Sequence, residues 1–107
     1  MSKTLVKLSI QREAARQFSV ILDDGQSVKE RLFDDASAVY AAHVMLREYL
    51  IDCKGKQIEL YTNANNLIAD IQDLQAGNVS KRLTEILQKT LDQYKVEIVK
   101  VAHISAL

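Results

Sequence analysis

The chain has 107 residues, a length that suits one domain spanning 1–107. Apolar residues make up 48% and charged residues 26%, which excludes a disordered chain, and the lone Cys53 excludes a disulfide scaffold and a Cys-rich zinc site. Basic and acidic residues number 14 each, so the strong positive field of a typical nucleic-acid binder is missing.

Proline is absent and glycine occurs only at Gly25, Gly55 and Gly77, so regular elements should fill the chain, punctuated at those points. Val6, Leu8 and Ile10 alternate with Leu5, Lys7 and Ser9, the period of a half-buried strand, and Phe18, Val20 and Leu22 repeat it. Asp23-Asp24-Gly25-Gln26 supplies turn chemistry. Val28, Glu30 and Leu32 then alternate with Lys29, Arg31 and Phe33 in a third strand, completing an antiparallel meander.

At Asp34-Asp35 the period becomes helical, and either carboxylate suits the cap of a helix from about Ala36 to Cys53. Val39, Ala42, His43, Leu46 and Leu50 form its apolar stripe, widened by Tyr40, Val44 and Ile51, and Gly55 follows as its stop. Gln57–Thr62 reads as a fourth strand. A helix beginning near Asn63 or Ala64 carries Leu67, Ile68, Ile71 and Leu74 on one face. Gly77-Asn78 breaks it, Asn78 is a candidate cap, and Val79 to Tyr94 gives a third helix. Val96 to about Ala102 is apolar on both faces, as an interior or parallel strand requires. The expected fold class is α/β, a five-stranded mixed sheet in the order β-β-β-α-β-α-α-β with helices on the sheet's faces.

That order is similar to the ribonuclease H-like fold, and local strings agree with it. Ile58-Glu59-Leu60-Tyr61-Thr62-Asn63-Ala64 resembles the segment where a family strand ends in Tyr-Thr-Asp-Ser and a helix begins. Val99-Lys100-Val101-Ala102-His103 resembles the later strand leading to a loop histidine, and Ala38-Val39-Tyr40-Ala41-Ala42 the start of the family's first helix. The resemblance implies four carboxylates holding two Mg²⁺ ions ~4 Å apart for phosphodiester hydrolysis. The first belongs late in the opening strand, yet Met1 to Arg12 holds no acid. The second position is Val39 and the third Asn63, while the fourth, on a helix after the last strand, has no counterpart before Leu107. A neutral amide is a poor ligand for Mg²⁺, so no catalytic residue, metal or cofactor is expected. The resemblance makes His103 the counterpart of a histidine that assists metal release and proton movement; with no metal to serve, a structural role is expected.

Other chemistry-bearing residues have plain readings. His43 falls within a buried helical stripe and reads as a core histidine; Cys53 reads as an inert thiol despite Lys54 and Lys56 beside it. Asp23-Asp24 and Asp34-Asp35 read as turn and cap residues, and Asp70 with Asp73 as a solvated helix face. Lys3, Lys7, Arg12 and Arg16 face only Glu13 over the first sixteen residues, candidate contacts for an anion or nucleic acid. Leu5, Ile21 and Phe33 are expected to point away from the core on one sheet face, a candidate surface for a partner chain or a second copy.

Two functions follow from this. The first is a non-catalytic ribonuclease H-like module for protein interaction or self-association as a homodimer. The second is a nucleic-acid-binding remnant that holds duplex or hybrid without cleaving it. No apolar run approaches the ~18–20 residues of a membrane span and no leader sequence is evident, so a cytoplasmic protein without membrane contact is expected.

Overall fold

The computed structural model describes residues 3–107. Its elements in chain order are β1 (Thr4–Ala14), β2 (Gln17–Asp23), β3 (Val28–Phe33), α1 (Ala38–Leu50), β4 (Gln57–Thr62), α2 (Asn65–Gln75), α3 (Arg82–Tyr94) and β5 (Glu97–His103), closed by one 3₁₀ turn over Ile104–Ala106. The expected order of elements is therefore the observed one.

The sheet runs β3-β2-β1-β4-β5, antiparallel across β3-β2-β1 and parallel across β1-β4-β5. Both parallel steps move in the same direction across the sheet. Right-handed crossovers consequently place α1, α2 and α3 on one face, where they pack on each other as well as on the strands. Among the described residues the helices form a single layer on one face of the sheet, and none packs on the other. Val6, Leu8, Val20, Leu22, Ile58 and Leu60 point into that layer and meet Leu46, Leu50, Leu67, Ile71 and Leu87. Each such side chain is almost wholly removed from water, worth ~1.5–3 kcal/mol apiece.

The two hairpins set the registers. Between β1 and β2 the register shifts between Arg12 and Ala14, and Arg16 takes a left-handed φ of 56°. That conformation is disfavoured for a residue with a Cβ. Arg16 is held there because its Nε donates to Asp35 Oδ1 at 2.8 Å and its carbonyl accepts the Ala36 N–H at 3.0 Å. Between β2 and β3, Asp24 Oδ1 accepts the N–H groups of Gln26 and Ser27 at 2.9 and 2.8 Å, and Tyr49 donates its hydroxyl to Oδ2 at 3.0 Å. Those backbone N–H groups, Ser27 foremost, hold the Asp24 carboxyl below its usual range.

That second turn overturns the expected facing of β3. Asp23 pairs with Val28, so Val20 and Leu22 stand opposite Arg31 and Lys29, while Ile21 stands opposite Glu30. A residue shares its face with the one opposite it. Phe33 therefore points inward and is buried, whereas Val28 and Leu32 point outward. Arg31 and Lys29 lie over the core margin, Arg31 above the Phe33 ring at 4.5 Å and paired with Glu48, Lys29 paired with Asp52 at 3.4 Å.

Two expected caps are also replaced. Ser37, not Asp34 or Asp35, caps α1, its Oγ accepting the Tyr40 N–H at 3.2 Å; Asp35 and Asp34 are engaged by Arg16 and Gln17. Asn78 does not begin α3. Its N–H closes the end of α2 by donating to Asp73 O at 2.8 Å, and α3 begins at Arg82 without a side-chain cap.

Candidate functional site

Because β1, β3, β4 and β5 run the same way, their carboxyl ends gather at one end of the sheet, the end at which α1 begins. In open α/β sheets this is where ligands bind, beside the point where the strand order turns back. Here that point lies at β1 and β4, and Asn63 occupies it. Its Oδ1 accepts the Ile10 N–H at 2.8 Å and its Nδ2 donates to the Ile10 carbonyl at 3.0 Å. The side chain thus extends the β1–β4 ladder by one rung. A carboxylate cannot take this part, since it has no donor and would set two acceptors against each other. Thr62, the last residue of β4, is buried and its hydroxyl accepts the Ala64 N–H at 3.1 Å.

Val39 lies half-buried in the first turn of α1. His103 ends β5 opposite Thr62, with its ring exposed. Its Nδ1 accepts the Ser105 N–H at 3.1 Å and lies 2.9 Å from the Ser105 hydroxyl, so the ring caps the 3₁₀ turn. Among the described residues no group of three or more His, Cys, Asp or Glu side chains is placed to hold a metal ion.

The largest concentration of buried polar groups lies elsewhere, where the three helices meet. His43 on α1 is fully buried and its Nε2 donates to Asp70 Oδ2 on α2 at 2.9 Å. Asp70 Oδ1 accepts from Lys81, the residue before α3, at 3.1 Å. The reading of Asp70 as a solvated residue is corrected, for it is 2% exposed. Its position, three residues after Leu67 and one before Ile71, puts it beside the apolar stripe, and that signal was present in the sequence. Burial is the main reason the His43 ring sits below its ordinary pKa, with the Asp70 carboxylate opposing the shift and the Arg47 and Lys81 cations adding to it. His43 Nδ1, Arg47 Nε and Thr84 Oγ1 are buried without a partner among the described residues. The junction ties α1 to α2 and to the start of α3, with His43 and Asp70 buried and Lys81 reaching it from an exposed position.

The basic residues of the opening hairpin do not converge. Lys3 and Lys7 line a hollow beside Asp23, Asp24 and Gly25 at one end of β1. Arg12 and Arg16 sit at the other end, ~30 Å along the strand from Lys3. Arg12 Nε turns back onto the Ala14 carbonyl at 3.4 Å, and Arg16 pairs with Asp35.

Of the expected interaction face, Leu5 and Ile21 are exposed on the side away from the helices, 39% each, and Phe33 is not part of it. Leu32 and Val28 take its place. Serines, Lys7 and Glu30 separate these apolar groups, and Lys100 lies over the buried Tyr61 ring at 5.4 Å. Cys53 is buried and donates to the Tyr49 carbonyl at 3.4 Å, and burial pushes its thiol pKa up, which disfavours the reactive thiolate. No helix among the described residues is long and apolar enough to cross a membrane.

No protein-family model and no curated protein matches the chain.

Proposed function

We propose that this chain is a ribonuclease H-like fold that acts in the cytoplasm as a non-catalytic protein-interaction module. The observation that carries the reading is the two-way bond between the Asn63 amide and both polar groups of the Ile10 backbone. The resemblance calls for a carboxylate at that position, and the bonding there calls for an amide. Val39 stands where the resemblance puts the second ligand, and Met1 to Arg12 supplies no acid for the first. Such a set offers a divalent cation no anionic oxygen.

A protein partner is favoured over a nucleic acid by the distribution of charge. A phosphate backbone needs several cations along one track, and the four basic residues of the hairpin are split between the two ends of β1, with Arg16 already paired. Exposed Leu5, Ile21 and Leu32 on the uncovered sheet face, by contrast, offer apolar contacts to another chain. The test is incubation of the purified chain with a labelled RNA–DNA hybrid in Mg²⁺ and in Mn²⁺, with binding followed across a salt series. Neither chelator-sensitive turnover nor salt-dependent binding is expected. Turnover abolished by chelator overturns the non-catalytic reading; tight binding that weakens steeply with salt replaces the protein partner with a nucleic acid.

A further inference from the structure

β3 is a margin of the sheet, and every residue of it except Phe33 is exposed. The turn bond from the Asp24 N–H to the Ser27 carbonyl, at 3.2 Å, fixes which of its backbone groups face β2. Bonded and unbonded pairs alternate in an antiparallel ladder. Counting from Asp24–Ser27, the bonded pairs are Leu22–Lys29, Val20–Arg31 and Phe18–Phe33. The N–H and C=O groups of Val28, Glu30 and Leu32 accordingly point away from the sheet, and no backbone bond to them is found among the described residues.

We propose that β3 receives an extended segment of another protein as a sixth strand, one whose side chains facing Lys29 and Arg31 are acidic. The proposal deepens the interaction-module reading and rests on it. Strand addition takes its affinity from backbone hydrogen bonds and its specificity from alternate side chains. There is room for those side chains on both sides of the strand. A hollow of about 370 Å³ lies towards α1 between Lys29, Arg31, Met45 and Glu48. Another of about 440 Å³ lies on the opposite face between Glu13, Ser19, Glu30 and Leu32.

Charge decides the occupant. Arg31 has one carboxylate partner on α1, Glu48, and Lys29 has one just past its end, Asp52, yet their side chains remain 47% and 51% exposed. Lysine has three donors and arginine five, so both retain donors for a second acid. A second copy of this chain is a poor fit. The antiparallel pairings of β3 with itself that join the most outward-facing groups, those centred on Lys29, Glu30 or Arg31, set Lys29 or Arg31 against itself or against the other. Cations along a margin strand discourage just such self-pairing. The complementary segment reads apolar, acidic, small polar, acidic, apolar, so that its apolar ends meet Leu32 and Val28 and its centre meets Glu30. The pattern is symmetric and fits in either direction.

The test uses the full chain and three synthetic peptides, followed by amide exchange and NMR shifts. The first is acetyl-Thr-Val-Glu-Thr-Glu-Val-Thr-amide, the second has lysine for both glutamates, and the third is the first with the amides of its bonding edge methylated. At millimolar acidic peptide the amides of Val28, Glu30 and Leu32 are expected to exchange about tenfold more slowly. Those of Lys29 and Arg31, already bonded to β2, are expected to be unchanged, and the other two peptides to have no effect. Glu30→Pro removes an outward N–H without breaking the internal ladder and is expected to abolish the response. Should that variant not fold, the contrast between the first and third peptides on the unaltered chain decides. No slowing, or equal slowing by the lysine peptide, overturns the proposal. Perturbation centred on Leu5 and Ile21 overturns the placement on β3 alone and leaves the interaction-module reading standing.

Discussion

His43 is fully enclosed, yet among the described residues only Nε2 of its two ring nitrogens has a partner. An imidazole so placed resists protonation, because a second proton would put charge into the interior beside Arg47 and Lys81. The unfolded chain meets no such resistance and takes up that proton below about pH 6.5. The unfolded state thus binds more protons in acid, and stability is lost as pH falls below that value. His43→Gln keeps a donor for Asp70 and removes the titration. The melting temperature of the unaltered chain is expected to fall more between about pH 7 and pH 5 than that of the variant. Parallel curves for the two proteins contradict the assignment. Asn63 is the other residue whose exact chemistry matters: an amide and a carboxylate are nearly the same shape, and only the amide can both donate to and accept from one backbone.

At the scale of elements, β3 carries the clearest test of the packing. Phe33→Ala is expected to cost about 3–5 kcal/mol, the usual loss for a buried phenylalanine, and Leu32→Ser to stay within about 0.5 kcal/mol, as for an exposed position. Denaturant titration measures both; the reverse ranking would show the strand facing the other way. The same strand shows where sequence reading reaches its limit. β1 and β2 were legible because Val6, Leu8, Val20 and Leu22 place apolar groups on one face and mostly polar ones on the other. β3 has apolar groups on both faces, so composition is silent, and the register is set by the Asp24 turn outside the strand. The cap of α1 was illegible for a related reason. Asp34, Asp35 and Ser37 are all good caps, and the choice fell to Ser37 because Gln17 and Arg16, distant in sequence, engage the two aspartates.

At the scale of the whole molecule, two crossovers in one direction place the helices on one sheet face, leave Leu5, Ile21 and Leu32 exposed on the other and bring four strand ends together. Asn63 and Val39 at that end were named in the sequence through the resemblance of their strand and helix starts to the ribonuclease H-like family. The bond from Asn63 to Ile10, 53 residues away, could not, since only the parallel pairing of β1 with β4 creates it. The most direct test of the account is a titration of the isotope-labelled chain with Mn²⁺, a paramagnetic ion that broadens NMR signals close to where it binds. The Ile10 amide and the Asn63 side-chain NH₂ are expected to keep their line widths, with any weak broadening scattered over exposed carboxylates. Selective, saturable broadening of those two signals at low ion concentration would place a cation at the end of β1 and β4 and contradict the account.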